Sequence, residues 1–152
     1  MNQFPLDVKS TLDKTMYGLK TTLEGDYPGL QALDIDNVEE FEVEMGSTAP
    51  AVLWQFSMLD PSPFDPLYKG SFLVGVKTTR DSGNYQLTAL TAELFKVFQV
   101  GEQFPVGDYS GVSEVLNKGV LTVTSIVLAP QQFDNQHSIR TCTVAFAAQR
   151  FP

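Results

Sequence analysis

GVLTVTSIVL at residues 119–128, followed after a connector by SIRTCTVAFAA at residues 138–148, is the stretch of sequence that decides the fold. Both runs are rich in residues that favour strands, and Cys142, Val144 and Phe146 alternate with other residues in the second run. Such alternation is typical of a strand with one buried face. We expect the two runs to pair antiparallel as a long hairpin.

The connector from Ala129 to His137 is longer than a tight turn needs. It places Phe133 among polar residues, with Asp134 and His137 close by in sequence. Long polar hairpin loops often hold binding residues. We therefore predict that Phe133, Asp134 and His137 contact a partner.

The segment Val38–Met45 has the period of a half-buried strand, with Glu40, Glu42 and Glu44 on one face. Like charges in a row repel one another and discourage pairing, which favours a position at the edge of a sheet. Two interpretations stay open. The row is either a solvated edge or a docking surface for a basic partner.

Two further strands are predicted in the middle of the chain. Ala51–Leu59 is dense in strand-forming residues and lies between prolines, so we expect a central strand there. Ser71–Thr79 alternates in the same way as the closing run. We expect a second strand over these residues.

Pro61–Gly70 joins these strands and contains three prolines, which predicts a stiff loop without helix or sheet pairing. The loop carries Phe64, Asp65 and Tyr68. The two aromatic side chains either fold back onto the core or contact a neighbouring subunit. We take Phe64, Asp65 and Tyr68 as candidate contact residues.

The first helix is predicted over Val8–Leu23, where apolar residues recur every three or four positions. Asp7 is a candidate cap for its start, and Gly25 is the expected left-handed residue after its end. Gly18 within the helix predicts either close packing or a helix that tertiary contacts stabilise.

The second helix is predicted from an apolar stripe that runs from Leu87 to Phe98 and stops before Gly101. Ser82 or Asn84 could cap its start. Gly101–Gly111 is rich in glycine and proline, so we expect a loop there.

The predicted fold is one α+β domain over residues 1–152, with a mixed, mostly antiparallel sheet of about five strands and two helices on one face. Apolar residues make up 43% of the chain and charged residues 18%, which is typical of a chain that folds. No repeat or linker divides the sequence.

The net charge bears on the class of partner, and the cysteine content bears on the cellular compartment. The formal net charge of -8 disfavours direct binding to nucleic acid, because phosphate contacts depend on clustered Lys and Arg. Cys142 is the one cysteine, which excludes an internal disulfide and favours a reducing compartment. The N-terminus lacks the pattern of a secretory signal, and no apolar run is long enough to span a membrane. We therefore expect neither secretion nor a membrane-spanning segment.

The sequence shows no motif that predicts catalysis. His137 is the one histidine, and neither a phosphate-binding glycine loop nor a nucleophile elbow occurs. Asp34 and Asp36 only superficially resemble a calcium loop, since its glycine and distal glutamate are missing. Cys142 falls on the apolar side of its strand, which predicts a buried, unreactive thiol. We expect no cofactor, no metal and no enzyme activity.

The order of elements resembles the tail terminator proteins of long-tailed bacteriophages, which are small acidic α+β proteins. The resemblance spans nearly the whole chain. Its closest local similarities are AVLWQF at residues 51–56, the strand-to-helix passage at residues 72–98, and AFAAQRF at residues 145–151. The proline-rich segment after Leu59 departs from the pattern.

The resemblance implies a structural role in the virion, in the tail and neck, with assembly in the host cytoplasm. A homo-oligomeric ring, hexameric in the family, caps the tail tube, stops its polymerisation and binds the head-tail connector. The expected partners are further copies of the chain, the tail tube protein and the connector or neck protein. The family implies no catalytic residues.

Rival interpretations remain. The chain could be another phage neck or tail component, either a tail completion protein or a tube subunit. It could also be a small-ligand binding module, or an enzyme that uses carboxylates, with Asp108, Glu114, Asp134 and His137 near one end of the sheet.

Overall fold

The computed structural model describes residues 3–36, 50–56, 60–61, 67–80, 85–109, 111, 114–133 and 137–152. Within these ranges the chain forms two helices and one sheet. The elements in chain order are α1 (Phe4–Leu23), β1 (Gln31–Asp34), β2 (Ala51–Phe56), β3 (Asp60–Pro61), β4 (Leu67–Thr79), α2 (Tyr85–Val97), β5 (Gln103–Asp108), β6 (Val115–Leu128), β7 (Gln132–Phe133) and β8 (His137–Arg150).

The sheet has the strand order β1-β2-β4-β8-β6-β5, with the short strands β3 on β4 and β7 on β8. Only β1 and β2 pair in parallel among the described strands. The α+β class is therefore confirmed, with six strands along the main path rather than about five. The sequence did not predict β1, because four residues, of which only Leu33 is buried, are too short to show a period.

The closing hairpin is confirmed. β6 and β8 pair antiparallel from Gly119 opposite Arg150 to Leu128 opposite Cys142, with a register shift between Val123 and Ser125. The Cys142 thiol is buried and unpaired, as its place in the alternation predicts. The predicted strand over residues 38–45 and the proposed caps at residues 82 and 84 lie outside the described residues.

β4 begins earlier than predicted, and this changes the interpretation of Tyr68. The pairing of β4 with β8 runs unbroken from Leu67 opposite Gln149 to Thr79 opposite His137. The expected loop over Pro61–Gly70 is therefore wrong at Pro61, which pairs with Tyr68 in β3, and over its last four residues, because the chain enters the sheet directly after the final proline. Tyr68 lies in the core, 6% exposed, with its ring centroid 5.2 Å from that of Phe4.

The predicted loop over residues 101–111 is also wrong, since it contains β5. Pro105 favoured a loop in the prediction, because proline lacks an N–H for pairing with a neighbouring strand. In the structure β5 is an edge strand that pairs only with β6 among the described strands, which is where proline is tolerated. Gly101 ends the α2 segment with φ of +89°, as predicted.

Helix α1 begins at Phe4, so Asp7 is not its cap. Pro5 fits the first turn, where a missing N–H costs nothing. Asp7 lies inside that turn, 2% exposed, and accepts a hydrogen bond from Gln3 Nε2 at 3.3 Å. The chain turns after the helix with a positive φ at Gly29 (+80°) rather than at Gly25.

The main core lies between both helices and one face of the sheet. Phe72 is at its centre, with ring centroids of Phe98 at 5.2 Å and Phe146 at 5.7 Å. Burying one such side chain contributes about 1.5–3 kcal/mol relative to exposure. α1 and α2 contribute their apolar stripes to this core: Val8, Leu12, Met16, Leu19, Leu23, Leu87, Leu90 and Leu94.

The opposite face of the sheet holds a smaller apolar cluster of Leu33, Ala51 and Leu53. Gly75 lies beside it, where an added Cβ would be 2.7 Å from the Arg140 carbonyl oxygen and 2.8 Å from Thr141 Cγ2. The backbone of β8 and side chains from both neighbouring strands therefore occupy the space beside Gly75. Among the described residues, no helix is both long and apolar enough to cross a membrane.

We predict that Gly18→Ala raises the free energy of unfolding by about 0.5–1 kcal/mol. Gly18 is exposed in α1 with open space around it, so neither close packing nor backbone geometry requires glycine there. Gly75→Ala is the comparison and should lower stability by about 1–3 kcal/mol through overpacking. Urea denaturation measures both; an equal effect of the two substitutions would contradict the assigned environments of the two glycines.

We predict that Cys142 reacts slowly with a disulfide reagent at pH 8 and rapidly once the chain is unfolded. Burial raises the pKa of the Cys142 thiol to about 11. Between the unfolded pKa and this value the folded state retains a proton that the unfolded state has lost, so this group lowers stability as pH rises through that window. Equal labelling rates for folded and unfolded protein would show that the thiol is accessible.

Candidate functional site

An ammonium group among three carboxylates lies where α1 crosses the ends of β1 and β2. Lys9 Nζ is 3.1 Å from Asp13 Oδ1, 3.3 Å from Asp34 Oδ2 and 3.5 Å from Asp36 Oδ2. α1 supplies Lys9 and Asp13 one turn apart, and the end of β1 supplies the other two groups. We call these four residues the Lys9 cluster.

Neighbouring donors fix the carboxylates of the Lys9 cluster. Trp54 donates from Nε1 to Asp13 Oδ1 at 2.9 Å, and the backbone N–H of Phe56 donates to Asp36 Oδ2 at 3.3 Å. The backbone N–H of Asp36 donates to Asp34 Oδ1 at 3.0 Å. The two carboxylates of the weak calcium-loop pattern, Asp34 and Asp36, thus both lie against the Lys9 ammonium.

The Lys9 ammonium stays protonated in this setting. Burial lowers the pKa of Lys9, but hydrogen bonds and charges from Asp13 and Asp34 together outweigh it, so the pKa lies above its ordinary value. A lysine base or nucleophile needs a lowered pKa. The cluster therefore joins a helix to two strands rather than offering a reactive amine.

A surface groove runs beside the Lys9 cluster along α1. It has a volume of about 580 Å³, with Leu6 and Tyr17 from the helix and Tyr109 from the segment after β5 on its walls. The charges at its far end are paired, since Lys14 Nζ lies 2.6 Å from Glu114 Oε1 and 4.0 Å from the centroid of the Tyr109 ring. We call it the α1 groove.

Hydrogen bonds between α1 and β5 hold the walls of the α1 groove together. The Thr11 hydroxyl accepts from the Gly107 N–H at 3.0 Å and also lies 3.2 Å from the Gly107 carbonyl oxygen. Ser10 Oγ accepts from the Tyr109 N–H at 2.8 Å. The groove is therefore a preformed feature of the fold.

A second surface feature is the far edge of β6. β5 stops pairing where Gln103 meets Thr122, and the last contacts there are hydrogen bonds between Val123 and the turn at Gly101–Glu102. From Ser125 to Leu128 the strand pairs only with β8 among the described strands. We call this stretch the β6 edge.

The side chains of the β6 edge are partly apolar. Val127 is 65% exposed and Leu128 is 41% exposed. An open strand edge with exposed apolar side chains is a template for pairing with another chain. The sequence did not reveal this edge, because it depends on where β5 ends.

The structure brings few of the predicted contact residues to a described surface. Tyr68 is buried, and His137 is the first residue of β8, 8% exposed rather than in a loop. Phe133 lies in β7, paired with Ser138. The other predicted contact residues lie outside the described residues: Glu40, Glu42, Glu44, Phe64, Asp65 and Asp134.

The proposed carboxylate constellation is not assembled. Asp108 pairs with Val115 at the start of β6, and Glu114 directly precedes that strand. His137 begins β8, and the antiparallel hairpin places this residue at the opposite end of the sheet, roughly 40 Å away at 3.3 Å per residue. One active site cannot contain both groups.

We predict that Lys9→Met lowers the free energy of unfolding by about 1–2 kcal/mol at pH 7, since it leaves three carboxylates without their shared cation. Lys96→Met is the control, because its exposed pair with Glu93 should contribute little. Equal losses for both variants in urea denaturation would reject this role for the Lys9 cluster.

Comparison with known proteins gives the fold alone. No family model matches the chain, and no curated protein matches it. A solved structure named "Np_888769.1" is similar over 100% of this chain and 99% of its own, with a TM-score of 0.64 and 16% sequence identity. The chain therefore shares its fold over its whole length with a known structure. The sequence identity is too low for a function to be transferred.

Proposed function

We propose that the chain is a structural subunit of a bacteriophage tail, which closes into a ring on the end of the tail tube and joins it to the head connector. The observation that carries the proposal is the β6 edge, which is open among the described strands and exposes Val127 and Leu128. The acidic α+β fold with its long closing hairpin supports the same interpretation by resemblance to tail terminator proteins.

A ring needs two different patches on each subunit, because head-to-tail contacts must repeat around an axis until they close. The β6 edge supplies one patch, through backbone pairing and apolar contact. The α1 groove supplies a different, preformed surface with exposed Leu6 and Tyr17. Contact between these two patches of adjacent subunits is the arrangement that we propose.

The paired charges fit a structural role better than a catalytic one. Lys9 and Lys14, the cations of the α1 groove, both have carboxylate partners. The expected hexamer, the tube and connector as partners, and the virion location follow from the family resemblance. For the row of Glu40, Glu42 and Glu44 both predictions stay open, a solvated edge or a docking surface for a basic partner.

A tube subunit is the second candidate, and the same β6 edge favours it. Open edges can repeat without closure, in which case the copies form an extended polymer rather than a ring. Light scattering on the purified chain across concentration separates the two. A closed ring supports the terminator, growing polymers support the tube subunit, and a lasting monomer in the presence of tail tubes contradicts both.

We predict that Val127→Lys abolishes self-assembly without loss of thermal stability, because a lysine on an exposed strand edge opposes pairing. Leu116→Lys is the matched control, since it lies 53% exposed at the other end of the same strand. Light scattering and thermal unfolding measure the two effects. If Val127→Lys assembled like the wild type, the β6 edge would not be part of the interface.

A further inference from the structure

A second groove lies between α2 and the sheet, away from the Lys9 cluster. It has a volume of about 300 Å³, and its apolar walls are Leu87, Ala92, Phe95 and Leu128. Arg140 also lines it, together with Thr88, Thr91 and Gln131. We call it the Arg140 groove.

The fold directs a cation into this apolar setting. Arg140 is opposite Val76 in the pairing of β4 with β8, two residues before the buried Cys142. By strand alternation it therefore shares the helix-covered face of the sheet with Cys142 and Val144. Arg140 is half-buried on this face, with its Nε in the buried part beside α2.

The guanidinium lacks a carboxylate partner within the described part of the chain. Arg140 Nε is buried and makes no hydrogen bond, and none of the ion pairs among the described residues includes Arg140. No aspartate or glutamate is among the described residues that line the groove. Buried donors normally have a partner, so an unpaired one calls for an explanation.

A second buried donor lies close by on the same face. Thr78 is fully buried, and its Oγ1 also lacks a hydrogen-bond partner among the described residues. It is opposite Ser138, two positions from Arg140 along β8. Two buried polar groups without hydrogen-bond partners among the described residues thus lie at this end of the sheet, and of the two Arg140 is the one that lines the groove.

We infer that the Arg140 groove binds a free organic acid, with its carboxylate on the Arg140 guanidinium and a compact apolar group against α2. The planar guanidinium matches a carboxylate through two parallel hydrogen bonds. The volume is at the small end of the range for ligand sites, which suits an acid of benzoate or hexanoate size.

The lining of the groove favours a free acid over an acidic side chain of a second copy. Its apolar walls accommodate a compact apolar group beside the carboxylate, which the side chains of Asp and Glu lack. Because Leu128 also belongs to the β6 edge, acid binding is tested separately from self-association.

The test is a calorimetric or NMR titration of the full chain with sodium benzoate and sodium hexanoate at fixed ionic strength. Benzamide and hexanamide are the matched neutral probes. We expect saturable binding of the acids, at least tenfold tighter than that of the amides. Equal binding of acid and amide, or no binding of either, would overturn the inference.

Arg140→Gln should weaken binding of benzoate at least tenfold, whereas Arg150→Gln at the exposed end of β8 should leave it unchanged. Thr88→Trp, at an exposed position on the wall, should block the groove even if Arg140→Gln fails to fold. Wild-type affinity in both groove variants would contradict the site. Loss of self-association in Arg140→Gln without any acid binding to wild type would mean that a second copy is the occupant, and would also reject it.

Discussion

The rest of the structure depends on the pairing of β4 with β8. Thirteen consecutive residue pairs join two strands that are far apart in the sequence, from Leu67 opposite Gln149 to Thr79 opposite His137. The rest of the sheet extends outward from this pair, with β2 on the β4 side and β6 on the β8 side. Phe72 and Phe146 on its inner face supply the surface on which the helices pack.

Helix α1 is attached by polar contacts at defined points as well as by its apolar stripe. Thr11 joins it to β5 through Gly107, and the Lys9 cluster joins it to β1 and β2. The start of the helix also packs closely on the sheet, because the Phe4 ring lies against Gly119. A Cβ added to Gly119 would be 2.9 Å from Phe4 Cε2. These contacts hold α1, which forms one wall of the α1 groove, against the sheet.

The fold therefore separates two kinds of surface. Charges around α1 are paired with one another, as in the Lys9 cluster and at Lys14 and Glu114. The β6 edge and the Arg140 groove instead leave strand donors, acceptors and a guanidinium without partners among the described residues. Such unsatisfied groups are where a further chain or ligand gains the most on binding.

Periodicity by itself determined the two helices, the closing hairpin and the buried thiol of Cys142, because these features depend on residues close in sequence. It failed at β1, at β5 with its Pro105, and at Tyr68, where short length or proline hid a strand. Only the tertiary structure decided that β8 lies between β4 and β6, which separates His137 from Asp108, and that β5 stops short of the β6 edge. Local patterns specify which face of a strand is buried, but pairing between distant strands is set by the burial of the whole core.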